Sequence, residues 1–140
     1  SERDPKIKRL AGKIDRVLVD APCTGLGTLR RNPDLKWRQT EQAVSELAAK
    51  QAAILAAAAG LVKRGGRLLY ATCSILTEEN EQVVRAFLEA HPNFTLVSPA
   101  AALAAARIEL PDRALDGDFL RLRPAVHATD AFFGALMERR

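Results

Sequence analysis

The sequence predicts half of a doubly wound α/β sheet, and three observations carry that expectation. Short aliphatic runs alternate with stretches of helical periodicity, in the order strand, helix, strand, helix, strand, followed by further strands. The first two aliphatic runs each lead into a cysteine, at the strand end where open α/β sheets hold their ligands. The 140 residues, 48% of them apolar, amount to one domain with enough apolar material for a core.

Residues 16–20, RVLVD, form a β-branched and aliphatic run closed by an acid and then by Ala-Pro, which predicts a buried parallel strand with a stiffened exit. The loop after it, APCTGLGTLRRNPDLKW, has Gly25 and Gly27 for tight turns. It also gathers Arg30, Arg31, Lys36 and Arg38, making it the most basic stretch of the chain. Between about Gln39 and Ala59, apolar residues recur at Val44, Leu47, Ala48, Ile54, Leu55 and Ala58, the spacing of a helix with one buried face. Gly60 or Gly65-Gly66 is expected to end that helix. RLLYATCS, 67–74, predicts a second short strand. A second helix follows, with Thr77 as its N-cap, Glu78 and Glu79 in the first turn, and Val84, Phe87 and Leu88 on one face; Pro92 stops it. NFTLVS, 93–98, reads as a third strand, and the alanine-rich PAAALAAAR after it fits either a short helix or a loose connection. DFLRLRP and FFGALMER alternate apolar and polar residues, as one or two further strands would, in an antiparallel edge pair.

Twenty-one Lys and Arg against 17 Asp and Glu give a net charge of +4, which suits a polyanionic partner without demanding one, since a solvated basic face gives the same total. No apolar run approaches the roughly 20 residues that cross a bilayer, and the amino end has no basic, then apolar, then small-residue leader. A cytoplasmic protein with no membrane partner is expected. The opening SERDPKIKRLAGK has neither an initiator methionine nor a strong helix or strand signal, so the chain is expected to begin inside a larger protein. Two cysteines are too few for a disulfide scaffold and lack the paired spacing of a zinc site; free thiols and no metal are expected.

Cys23 and Cys73 lie 50 positions apart with one helix between them. A right-handed crossover sets their strands side by side, so the two sulfurs can face one pocket. A single cysteine at a strand end is more often packing than chemistry. Two at matching ends, one framed by Asp20 and Pro22, point to chemistry. A free thiol ionises at about 8.5, so a nucleophilic role needs help from its site. His91 and His127 fall in a helix end and a late loop, which argues against a Cys-His hydrolase.

DAPCTGLGT followed by LRRNPDLKW, then GGRLLYATCSILTEENE, and finally RLRPAVHATDAFF carry a resemblance. From about Ile14 to its end, the chain resembles the carboxyl half of the catalytic domain of RNA 5-methylcytosine methyltransferases, in the Sun/Fmu (RsmB-like) ribosomal RNA branch of the NOL1/NOP2/Sun family. The resemblance implies the carboxyl-terminal half of a Rossmann-like sheet that uses S-adenosylmethionine, mostly parallel with antiparallel strands near the end. It implies that Cys73 is the nucleophile that bonds to C6 of cytosine, turning the ring into an enamine whose C5 accepts a methyl. Cys23 then assists loss of the C5 proton and release of the product. Asp20 matches the acid beside both cofactor and base, and Ala21 and Pro22 would hold the cytosine edge. The implied partner is ribosomal RNA, of the small subunit by kinship. An unpaired or flipped-out base suits a thiol nucleophile, and Arg30, Arg31 and Lys36 would hold the flanking phosphates. Trp37 either stacks on a base or anchors its loop in the core, and the anchor is the expectation. Ala131 departs from the family's usual glycine in its late TDGFF motif, which affects a turn rather than the chemistry.

Such enzymes place a glycine-rich turn after their first strand and an acid after their second. Neither is found in these 140 residues: Gly25-Leu-Gly27 follows the wrong strand and Gly65-Gly66 precedes one. The main cofactor pocket, a motif lysine and any amino-terminal RNA-binding domain are therefore expected upstream of Ser1. The chain alone is expected to be unable to methylate, and its uncovered sheet is expected to self-associate. Two rival readings remain. An amino-group methyltransferase would have a second proline and an aromatic ring where this chain has DAPC. A non-catalytic RNA-binding or assembly domain would explain the basic loop but leaves the paired thiols to coincidence.

Overall fold

A computed structural model describes residues 5–140, the side chain of Lys6 apart. Helix α1, Pro5–Lys8, precedes strand β1, Ile14–Asp20. A single 3-10 turn at Leu26–Thr28 and helix α2, Leu35–Arg38, shape the long loop before helix α3, Glu41–Ala59. Strand β2, Val62–Thr72, leads to helix α4, Glu81–Ala90, and strand β3, Phe94–Val97. Helix α5, Pro99–Ala105, the hairpin of β4, Leu115–Asp116, and β5, Phe119–Leu122, helix α6, Pro124–His127, and strand β6, Phe132–Arg139, complete the chain.

The strands form one sheet in which β1 pairs in parallel with β2, and β2 pairs antiparallel with β6. The far edge of β6 is shared end to end: residues 132–135 pair with β5 and residues 136–139 with β3, both antiparallel. β1, β2, β3 and β5 therefore run in one direction and β6 and β4 in the other. That is the α/β sheet the sequence predicts, with its reversed strands toward the end. FFGALMER forms an interior strand, however, and not an edge, pairing with β2 along one side and with β3 and β5 along the other, while its alternation turns Phe133, Ala135 and Met137 to the buried face.

Leu68 and Tyr70 of β2 and Phe133, Ala135 and Met137 of β6 meet Leu55, Ala58 and Ala59 of α3 and Val84 and Phe87 of α4 in the core. Each large apolar side chain buried there contributes about 1.5–3 kcal/mol. Thr40 caps α3 by accepting the Ala43 N–H at 3.1 Å, and Gly60 follows its last turn. The alanine-rich segment is helical because Ser98 caps it and Pro99 takes the first position, where a missing N–H costs nothing.

Three local expectations change. β1 is parallel but lies at the sheet edge, with Val19 buried and Leu18 65% exposed. Gly65 and Gly66 fall inside β2: the register jumps from Ile14 opposite Val62 to Arg16 opposite Arg67, and Gly65 takes a φ of 72° that suits only glycine well. Thr77 does not cap α4. Residues 77–80 form a turn, and the helix starts at Glu81 because Glu79 and Asn80 are drawn into the core by partners elsewhere.

Candidate active site

The parallel pairing of β1 with β2 brings both cysteine loops out of the sheet together. Asp20 stands opposite Ala71, and Ala21 N–H donates to the Ala71 carbonyl at 2.9 Å, extending the pairing one residue past the strand. Gly27 N–H then donates to the Cys73 carbonyl at 2.9 Å. A Cβ on Gly27 would stand 2.4 Å from that oxygen and 2.8 Å from the Ala131 Cβ, so this close approach of backbones requires glycine. Ala131, buried and bonded through its N–H to the Gly27 carbonyl at 2.9 Å, fills the space opposite. Its methyl thus packs against the Gly27 turn.

The outcome is a pair of half-buried thiols whose sulfurs lie 3.5 Å apart. Burial pushes the Cys23 thiol up to about 12, and the hydrogen bond and charge of Cys73 act in the same direction. Cys23 therefore holds its proton at neutral pH. Ala21 is buried, whereas Asp20 and Pro22 are exposed at the mouth of the site. Among the described residues the Asp20 carboxylate has no hydrogen-bond partner in the protein and is free to meet a ligand.

Beneath the thiols lies a polar layer that the sequence pattern does not reveal. Glu79 is fully buried and accepts the Thr24 N–H at 2.8 Å, the Thr24 hydroxyl at 2.6 Å, the Gln51 amide at 3.0 Å and the Ser74 hydroxyl. Gln51 also donates to the Pro22 carbonyl at 2.9 Å, and Tyr70 donates its hydroxyl to the Glu79 carbonyl at 2.6 Å. Thr72 donates to Asn80 Oδ1 at 2.5 Å, while the Asn80 amide donates to the Ser74 carbonyl at 3.0 Å. In the sequence the only signal is an acid and an amide a few positions after TCS, and an acidic run there reads equally well as a helix start.

The basic loop is held differently from the expectation. Arg31 pairs with Asp130, which ties the loop to the approach of β6, while Arg30 is exposed. Lys36 stands 4.8 Å over the ring of Trp37. Trp37 is 80% exposed, so it does not anchor the loop in the core; α2 is too short and too polar to turn it inward. The ring nitrogens of His91 and His127 bond to main-chain atoms of Phe87, Arg123 and Asp112. Among the described residues no three His, Cys, Asp or Glu are placed to hold a metal ion, and no helix is long and apolar enough to cross a membrane.

The sheet is that of the Rossmann-like methyltransferases, which it matches in structures already solved. The crystal structure of PH0851 superposes with a TM-score of 0.83 at 42% identity, over 99% of this chain and 29% of that one. NSun6 from Pyrococcus horikoshii, solved with SFG, gives a TM-score of 0.70 at 30% identity, over 96% of this chain and 32% of its own. The profile of the family described as 16S rRNA methyltransferase RsmB/F matches residues 2–138, and the chain belongs to that family. Ribosomal RNA small subunit methyltransferase B of Yersinia pseudotuberculosis is 45% identical over 106 residues, which are 76% of this chain and 24% of that protein. The chain thus spans about a quarter of the length of this curated relative.

Proposed function

We propose that the protein carrying this chain methylates C5 of a cytosine in small-subunit ribosomal RNA, with Cys73 as nucleophile and Cys23 as its assistant. The observation that carries this reading is the 3.5 Å approach of two sulfurs at the ends of paired parallel strands. Family membership supports the ribosomal RNA substrate, and a cytoplasmic location goes with that substrate.

The ring carbon C5 of cytosine is a poor nucleophile. Attack of the Cys73 thiolate on C6 forms a carbon–sulfur bond and moves electron density to C5. S-adenosylmethionine, when bound, supplies the methyl group. Transfer of the C5 proton to a base, such as water admitted to the site, and breakage of the carbon–sulfur bond then restore the aromatic ring and the Cys73 thiolate, with Cys23 assisting as a hydrogen-bond donor to the departing sulfur. Until substrate enters, the protonated Cys23 is available as a donor to the Cys73 sulfur. Asp20 would meet the cytosine edge and the cofactor, where its carboxylate can accept a hydrogen bond from the exocyclic amino group, and Ala21 and Pro22 would border the same edge. These residues fit one wall of a cofactor site, since the Asp20 side chain is exposed at a strand end. We place the main pocket in other parts of the full-length protein, since this chain spans 24% of the curated relative.

Arg30 and Lys36, both exposed, would hold phosphates flanking the target, with Arg31 doing so from its bond to Asp130. Trp37, exposed beside Lys36, suits stacking on an unpaired base. The test is to incubate full-length protein with S-adenosylmethionine and RNA containing 5-fluorocytosine, which blocks proton loss from C5. Mass spectrometry of the digest should find the base linked to Cys73. On ordinary RNA, Cys73→Ala should abolish the adduct and Cys23→Ser should lengthen its life. A link to Cys23, or turnover by Cys73→Ala, would overturn the assignment.

A further inference from the structure

One buried carboxylate joins the two cysteine loops, and no step of the proposed reaction uses it. Thr24 follows Cys23 and Ser74 follows Cys73, and both are bound by Glu79. The two loops are 50 residues apart in the chain but meet on the two oxygens of one side chain. Gln51 brings a further donor from α3 and, through the Pro22 carbonyl, grips the Cys23 loop from its other side. Four N–H and O–H donors converge on a group that only accepts, so its lone pairs are filled. Burying a carboxylate is costly and is tolerated only with such partners. An apolar side chain would fill the same volume without that cost. What an apolar side chain lacks is the means to fix two loops relative to each other.

We infer that Glu79 is a positioning residue: by binding the residue after each cysteine, it sets the separation of the two sulfurs. The catalytic consequence of this rests on the reaction proposed above, whereas the geometric consequence does not. The two are measured separately.

Full-length protein is equilibrated with mixtures of reduced and oxidised glutathione. Two protein thiols and one oxidised glutathione yield the Cys23–Cys73 disulfide and two reduced glutathiones, and the linked peptide pair is quantified by mass spectrometry. That equilibrium reports the effective concentration of one thiol at the other. Glu79→Ala should lower it about tenfold or more as the loops lose their common anchor. Glu79→Gln should stay within about threefold of the parent, because its amide oxygen can still face the Thr24 N–H and Gln51 while its NH2 donates to the two hydroxyl oxygens. In methyl transfer, Glu79→Ala should lower kcat about a hundredfold with the KM for RNA little changed, since displacement of about 1 Å at reacting groups has that effect. Glu79→Gln should restore most of it.

Should Glu79→Ala fail to fold, Ser74→Ala removes a single donor and is expected to lower the effective concentration about threefold. An effective concentration unchanged in the Glu79→Ala protein, or in Ser74→Ala when only that one folds, overturns the inference. A lowered effective concentration in a protein whose parent forms no adduct with 5-fluorocytosine RNA supports the clamp and defeats the proposed reaction.

Discussion

Burial distinguishes the role of Cys23 from that of an ordinary exposed thiol. Its value rises from 9.0 to about 12, and the main cause, loss of water around the thiolate, does not depend on its neighbour. In Cys73→Ser protein, alkylation of Cys23 by iodoacetamide should therefore run about a hundredfold slower than that of free cysteine at about pH 10, and its rate should keep rising about tenfold per pH unit beyond about pH 9, where free cysteine levels off. A half-maximal rate near pH 9 would contradict the burial seen here. The same shift bears on stability. Because the folded value lies above the unfolded one, the contribution of the protonated thiol is complete below about pH 9 and is lost as pH rises toward 12. The phenol of Tyr70, raised by burial and by the charge of Glu79, adds to the loss at the alkaline end. Gly27 acts at the same scale in a different way: it adds no chemistry, but without its missing side chain the Cys73 carbonyl and Ala131 could not close on the turn.

Among the elements, α3 is tied to the site by one side chain. Gln51 is fully buried on a face otherwise made of Leu55, Ala58 and Ala59, and its amide reaches both the Pro22 carbonyl and Glu79. Gln51→Leu keeps the volume but leaves two acceptors short of a donor. It should cost about 1–3 kcal/mol, read as a lower urea midpoint at unchanged m-value; an unchanged midpoint would show that the contact carries no stability. The elements themselves were legible in the sequence wherever the signal was local. RVLVD, RLLYATCS and FFGALMER are strands by their own composition and alternation, and the spacing of apolar residues from Val44 to Ala58 marks a helix wherever it packs. The start of α4 was not legible, because Thr77, Glu78 and Glu79 satisfy every local rule for a helix start. What moves the start to Glu81 is a contact between Glu79 and Thr24, 55 residues away. Trp37 and β1 were misjudged for a related reason: an aromatic ring or an aliphatic run says that burial is favourable, not that a neighbour is present to provide it. The site divides along the same line. Its two thiols stand at strand ends and could be found from spacing, whereas the carboxylate beneath them is defined only by what converges on it.

At the scale of the whole chain, the sheet is covered unequally. α3 and α4 close one face. On the other, Leu18, Leu69, Val97 and Leu136 border a groove of about 610 Å3, with Leu18 65% exposed and β1 offering an edge that pairs with nothing among the described residues. An unpaired edge beside exposed apolar side chains is a template for another strand. In the 140-residue chain on its own, the strand at hand is β1 of a second copy, and such pairing satisfies the free N–H and C=O groups of both edges at once. Sedimentation of this chain at about 100 μM should show dimers or larger species, since micromolar affinity needs only about 8 kcal/mol. Leu18→Lys, which sets a charge on that face, should return the chain to monomer. The same open edge bears on the proposed cofactor site: if Asp20, Ala21 and Pro22 supply one wall only, calorimetry of the isolated chain should register no micromolar binding of S-adenosylmethionine. A monomer at high concentration would mean that β1 is shielded in solution, and cofactor binding at micromolar strength would mean that the wall described here is most of the pocket.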